Sequence, residues 1–238
     1  RRTMTTAQPI QNTLMLQPGE NGIRDMEPTD NTLKEFLKLL RHHSVRRMCP
    51  RNSTIYTEQD QARFVYHVLE GVVRLCKYTD DGRRHIVSFM LPGDLFGHDQ
   101  MRRNTVTAEC ATNAVLASYP AHRVDELSKD NAGFRAYLRD QISEDIQSLQ
   151  RHLLLLGCHD TRERVASFLL DLKKRTPAGE TLMLGMNRMD IADHLGIRAE
   201  SVCRALRDLK AAGVISARSA SELVVRDAGT LRALALAA

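Results

Sequence analysis

The chain has 238 residues, 42% hydrophobic and 26% charged, with 34 Lys and Arg against 29 Asp and Glu for a formal net charge of +5. That length suits two modest domains, and with 5% aromatics and no tryptophan their cores are expected to be aliphatic. The mild basic surplus fits an anionic partner, but it fits an ordinary solvated surface equally well. The five cysteines (Cys49, Cys76, Cys110, Cys158, Cys203) are odd in number and widely scattered, and no CxxC pair occurs. This argues against a disulfide framework, a thiolate zinc knuckle or an iron–sulfur cluster. Apolar runs such as Leu153–Leu156 are too short to span a bilayer, and the first residues lack the apolar stretch of a secretory signal. A cytoplasmic protein with no membrane partner is expected.

Residues 1–30 carry prolines, amides and no sustained periodicity, and are expected to form a flexible N-terminal tail. Within the next region, 31–128, TLKEFLKLL places Leu33, Phe36, Leu37 and Leu40 at helical spacing, with Asn31 as candidate N-cap. From Ser44 to about Ser118 the pattern changes to short alternating and β-branched runs. They are punctuated by Glu70-Gly71, Asp81-Gly82 and Pro92-Gly93-Asp94. Asp81-Gly82 predicts a hairpin with a type I′ turn, in which both central residues need positive φ. Strands at roughly ten-residue spacing predict an antiparallel roll or jelly roll.

After Tyr119-Pro120 the chain turns helical, and region 129–157 is assigned to one long helix. Phe134, Leu138, Ile142, Ile146, Leu149 and Leu153 recur at intervals of four or three, opposite a charged face. Such a stripe fits a two-helix dimer seam, or a helix lying on its own domain. Gly157 to His159 breaks the pattern and is a candidate hinge. In the final region, 158–238, Asp160 is expected to cap a helix with Val165, Phe168, Leu169 and Leu172 inward. Pro177-Ala178-Gly179 predicts a turn, and TLMLGM a short strand.

Arg188 to Lys210 has the mechanics of a helix-turn-helix. Ile191, Ala192 and Leu195 give the first helix an inward face, and Gly196 supplies the left-handed residue of the tight turn. Val202, Leu206 and Leu209 anchor the second helix, so Arg198, Ala199, Glu200, Ser201 and Arg204 project from its N-terminal half. That half is the part such a motif inserts into the major groove. Glu200 can accept from a cytosine amino group, and Arg204 can grip guanine O6 and N7. The stretch Gly213–Arg226 predicts a β-hairpin wing with Arg218 and Ser219 near its tip, in reach of the phosphate backbone. The competing reading is a buried helical hairpin whose Glu and Arg are merely solvated.

A β-roll, a long helix and this motif, in that order, resemble the Crp/Fnr family of bacterial regulators over about residues 32–230. The specific pieces are Leu69–Gly97, with Gly71, Gly82, Pro92-Gly93-Asp94 and Gly97, and the helix-turn-helix. Glu200-Ser201-Val202-Cys203-Arg204 is similar to the E-S-V-S-R signature of Fnr- and FixK-type proteins, with Cys203 in place of the usual serine. The resemblance implies an α+β chain: an N-terminal antiparallel β-roll of cupin-like jelly-roll type, a dimerisation helix and a C-terminal winged helix-turn-helix. It also implies a homodimer that binds duplex DNA at a TTGAT-N4-ATCAA-like palindrome and works with RNA polymerase, most simply as an activator.

Cyclic-nucleotide binders of that family hold the phosphate with a Gly-Glu-Leu turn and an Arg-Ser pair. Here the corresponding stretch, Phe96–Thr105, is shortened, carries His98-Asp99 and offers only Arg103-Asn104. No cysteine cluster precedes Cys49, as an Fnr iron–sulfur site would need, so the FixK type, which lacks both devices, is the better match. No cofactor is expected. A haem- or small-ligand-dependent sensor remains the alternative, with His67, His85, His98, His42-His43 and Met90 as conceivable haem ligands. Cys203, beside Arg204 and near Arg207, is a candidate for redox control, or a small packing residue standing in for serine. A cupin-like metalloenzyme is the rival outside this family, but the roll has no His-x-His pair, so an enzyme is not expected.

Overall fold

The structure, a computed structural model, describes residues 31–97, 103–158, 160–175, 181–219 and 221–235. The N-terminal tail, residues 98–102 of the shortened Phe96–Thr105 stretch and the turn at 177–179 lie outside these residues. The chain forms two compact units that divide after Asp140.

The first unit opens with helix α1 (Asn31–Leu40), followed by eight strands. These are β1 (Val45–Cys49), β2 (Thr54–Tyr56), β3 (Phe64–Glu70), β4 (Val73–Tyr78), β5 (Arg84–Met90), β6 (Leu95–Phe96), β7 (Thr107–Cys110) and β8 (Ala114–Pro120). They make two four-stranded antiparallel sheets, β1-β8-β3-β6 and β2-β7-β4-β5, which is the expected roll. Helix α2 (Ala121–Asp130) follows, and the long helix α3 (Ala132–Cys158) begins in this unit. Asn131 separates the two helices. Its N–H bonds the Leu127 carbonyl, ending α2, while its side-chain oxygen accepts from the Phe134 N–H at 3.0 Å, starting α3.

Period-two alternation sends each face of β3 to a different core. Tyr66 and Val68 enter the space between the sheets with Val73, Phe96, Ala108, Cys110 and Leu116. Val65 and Leu69 face outward and are roofed by Phe36 and Leu40 of α1, Val124 of α2 and Phe134 of α3. The Phe36 and Phe134 rings meet at 4.6 Å.

One expectation needs correcting. The β4–β5 hairpin exists, but its turn is not type I′: of the central residues only Gly82 has positive φ, at 81°. The Gly82 N–H bonds the Thr79 carbonyl, and the Asp81 carboxylate accepts from the Arg83 N–H and the Thr79 hydroxyl. That local bonding supports a type I turn closed by a left-handed glycine, which demands positive φ once rather than twice. Within the stretch expected to break the helix, Gly157 to His159, α3 runs through Gly157 and ends at Cys158, and α4 begins at Thr161.

The second unit holds the rest of α3, then α4 (Thr161–Lys174), β9 (Leu182–Met183), α5 (Arg188–Leu195), α6 (Ala199–Ala211), β10 (Ile215–Ala217), β11 (Glu222–Val225) and α7 (Ala228–Ala235). Asp160 and Glu163 form a capping box at the start of α4, whose Val165, Phe168, Leu169 and Leu172 are buried as expected. The wing is three-stranded, in the order β10-β11-β9. Helix α7, which the sequence pattern did not reveal, packs on α4 and is capped by Asp227 through the Thr230 N–H and hydroxyl.

Candidate nucleic-acid interface

Helix α5 starts at a reciprocal cap. The Asn187 side chain accepts from the Asp190 N–H at 2.8 Å, and the Asp190 carboxylate accepts from the Asn187 N–H at 3.2 Å. Asp190 is fully buried, so this cap also fixes where the helix-turn-helix begins. Helix α5 ends at Gly196, whose φ of 62° lets the N–H groups of Gly196 and Ile197 both return to the Ala192 carbonyl. Helix α6 then leaves at a new angle, with Val202, Ala205, Leu206 and Leu209 buried beneath it.

This burial leaves one face outward. Arg198, Glu200, Cys203, Arg204 and Arg207 are exposed, and Ala199 and Ser201 are half-buried. Ala199, Glu200, Cys203, Arg204 and Arg207 line a single open concavity. Their spacing of three and four residues stacks them along one side of the helix. No side chain caps the first turn of α6, so its orphan N–H groups and dipole end remain available to an anion. At the wing tip Arg218 and Ser219 are exposed. The Arg218 guanidinium lies 3.3 Å from the Thr181 hydroxyl, and the Ser219 and Ser221 hydroxyls are 3.4 Å apart.

Sequence reasoning missed the residues that hold this motif in place. Arg164 of α4 donates from one guanidinium nitrogen to the Leu195 carbonyl at 3.0 Å and from another to the Leu156 carbonyl at 2.9 Å. One cation thereby satisfies carbonyls at the C-terminal ends of both α5 and α3, where helix dipoles favour positive charge. The His152 ring of α3 stacks on His194 of α5 at 4.3 Å, and Phe168 meets His194 edge-on. Burial holds the His152 pKa below its ordinary value. The pattern could have flagged Arg164 only as one charge among several on an amphipathic helix.

The six residues of the α3 stripe do not share one environment. Phe134 is buried in the roll's own core, 2% exposed, and Leu138 packs partly against the same cluster. Ile146, Leu149 and Leu153 are exposed, as is Leu154, which the stripe did not include.

In the roll, Arg103 donates to the Gln59 carbonyl at 2.7 Å, and the Asn104 backbone pairs with Gln59 and Asp60. Both residues thus bond the 57–61 turn. Of the conceivable haem ligands, His67 is buried, His85, His42 and His43 are exposed, Met90 is half-buried and His98 lies outside the described residues. Among the described residues no three His, Cys, Asp or Glu side chains group as metal ligands, and no helix is long and apolar enough to cross a membrane.

A roll of two antiparallel sheets, a long helix and a winged helix-turn-helix with an outward α6 define a DNA-binding transcription regulator rather than an enzyme. Comparison with known proteins agrees: residues 46–131 match the cyclic nucleotide-binding domain family, and residues 163–234 match the Crp-like helix-turn-helix domain family. The chain belongs to the Crp/Fnr family, in its FixK branch. It is 38% identical over 189 residues to the nitrogen fixation regulation protein FixK of Azorhizobium caulinodans, covering 77% of this chain and 76% of that protein. With FixK of Rhizobium meliloti it shares 35% identity, over 76% of this chain and 82% of the relative. The structure of FixK2 from Bradyrhizobium japonicum superimposes with a TM-score of 0.79 at 31% identity, covering 82% of this chain and 98% of that one.

Proposed function

We propose that the chain acts as a homodimeric transcription activator in the cytoplasm. It binds a TTGAT-N4-ATCAA-like palindrome with RNA polymerase as partner, and needs neither a cyclic nucleotide nor an iron–sulfur cluster. The observation that carries this reading is the outward row of Glu200, Arg204 and Arg207 above the buried Val202, Leu206 and Leu209. In this reading Glu200 and Arg204 read base edges. Arg198, Ser201, Arg218 and Ser219 contact phosphates, and Ala199 lets the helix approach the groove wall. Exposed Ile146, Leu149 and Leu153 support pairing through α3, which would present two α6 helices about 34 Å apart to successive major-groove faces.

Exposed Cys203 faces the same concavity, so its oxidation by a peroxide to the sulfenic acid, with loss of water, would place a bulkier polar group against the DNA. Selection from random DNA, run on the wild type and on Arg204→Ala, tests the base-reading role. The variant should lose ~1–3 kcal/mol of binding and relax preference at one position of each half-site. An unchanged preference refutes it. Peroxide titration of DNA binding in wild type and Cys203→Ser tests the thiol, and equal sensitivity removes it.

A further inference from the structure

The cysteines are far apart in sequence, yet the roll brings two of them together. Cys49 ends β1 beside Ala114 of β8, and Cys110 ends β7 beside Val73 of β4, so the two lie where the sheets meet. Both belong to the same apolar cluster: Cys110 is fully buried, and Cys49, half-buried, packs against it. The turn between β1 and β2 clamps the site. The Asn52 N–H donates to the Cys110 carbonyl at 2.8 Å, and the Cys110 N–H donates to the Ser53 carbonyl at 2.9 Å. Pro50, next to Cys49 in the chain, accepts at its carbonyl from the Ser53 N–H at 3.1 Å, so the turn that bonds Cys110 on both sides begins at Cys49.

We propose that Cys49 and Cys110 form a reactive thiol pair, a modification site at which a peroxide-class oxidant converts two thiols into a disulfide within the roll. The two sulfurs have distinct roles. Cys49, the more accessible, is the attacking group; the Cys110 side chain lowers its pKa against the opposing effect of burial, and the Arg47 charge adds to the lowering. Cys110 is the resolving group, held as a thiol by the Cys49 side chain and by burial. The Cys49 thiolate attacks a peroxide oxygen; the S–O bond forms, the O–O bond breaks, and the departing hydroxide takes a proton and leaves as water. The Cys110 sulfur then attacks the Cys49 sulfenic acid; the S–S bond forms, the S–O bond breaks, and a second water carries off the oxygen and the Cys110 proton. Each disulfide therefore consumes one hydrogen peroxide and yields two waters. The pair lies wholly in the roll, so it is independent of the DNA-binding reading and of Cys203.

The test is peptide mapping of the full chain after hydrogen peroxide treatment, without reduction, in wild type, Cys49→Ser, Cys110→Ser and Cys203→Ser. Trypsin should release Met48–Arg51 joined to Asn104–Arg123, with the mass of the two peptides less two hydrogens. The linked species should vanish on reduction and in both Cys49→Ser and Cys110→Ser, and persist in Cys203→Ser. Oxidised wild type should also unfold at higher urea than the reduced form, because the bond closes a long loop of the unfolded chain. Cys49 running on to sulfinic acid while Cys110 stays reduced, or cross-links only to other cysteines, would overturn the proposal. So would a lower urea midpoint on oxidation, since the bond would then distort the roll. Wild-type mapping decides the matter even if a serine variant fails to fold.

Discussion

His67 makes the roll sensitive to acid in a way that can be calculated. It lies on β3, is 2% exposed, and its Nε2 has no hydrogen-bond partner. Burial, with the Arg46 charge adding to it, lowers its pKa from 6.5 to about 4. A histidine whose folded pKa is depressed binds fewer protons in the native state than in the unfolded one between those two values, so stability rises with pH across that window. Above pH 6.5 the ring is neutral in both states and contributes no pH dependence. Below it, each pH unit costs about 1.4 kcal/mol, reaching about 3 kcal/mol near pH 4. The assay is favourable because the chain has no tryptophan and all five tyrosines (Tyr56, Tyr66, Tyr78, Tyr119 and Tyr137) lie within the first unit. Tyrosine fluorescence during urea unfolding therefore follows the roll alone. Wild type and His67→Leu should be compared from pH 4.5 to 7.5, so that the carboxylates and other histidines, common to both, cancel in the difference. The wild type should lose about 2 kcal/mol more than the variant between pH 6.5 and 4.5, while near pH 7 the variant is equally stable or more so, having lost an unsatisfied polar atom. A flat difference across that range would refute the reasoning, because it would mean that the folded roll accepts the proton.

Other outcomes follow from single contacts. Gly71 has φ of 81°, and a Cβ there would lie 2.3 Å from the Asn113 carbonyl oxygen; Gly71→Ala should cost about 3 kcal/mol or more in the tyrosine-monitored transition. Arg164→Ala removes two charge-assisted bonds and leaves two helix-end carbonyls without it, so the second unit should lose about 2–3 kcal/mol by circular dichroism while the roll transition stays in place. Replacing Ile146 and Leu153 together by Asp should shift the sedimentation coefficient to that of a monomer with folded-state dichroism unchanged; a persistent dimer would place the seam elsewhere.

What is legible in the sequence is what periodicity and turn chemistry encode. The roll, the long helix and both helices of the helix-turn-helix show in the strand alternation, the three-and-four spacing and Gly196. The turn at Asp81-Gly82 is misjudged from sequence because Asp and Gly suit two turn types, and the choice between them falls to the Asp81 carboxylate's local bonds. That the helix continues through Gly157 before ending at Cys158 is not legible, because a glycine costs a helix only about 1 kcal/mol, which local propensity alone cannot weigh against the remaining helical bonds. Arg164 and the His152–His194 stack are invisible for a different reason. Each joins elements distant in sequence, and no local pattern distinguishes a charge that bridges two helix ends from one that faces water.

Helix α3 shows why one periodic stripe can mislead when read as one surface. The spacing of Phe134, Leu138, Ile142, Ile146, Leu149 and Leu153 is uniform, yet exposure rises along it, from 2% at Phe134 to 52% at Ile146 and 69% at Leu153. The first turns are occupied by the roll's own core, through Phe36 and Val124. The later ones leave large aliphatics in water, each forgoing a good part of the ~1.5–3 kcal/mol that full burial of such a side chain returns. Leu154 adds to that exposed surface, and one residue from the same end of the helix, Leu156, offers its carbonyl to Arg164. If a second copy covers the exposed turns, the contact that forms the dimer sits within a few residues of the contact that anchors α5, the helix from which α6 departs.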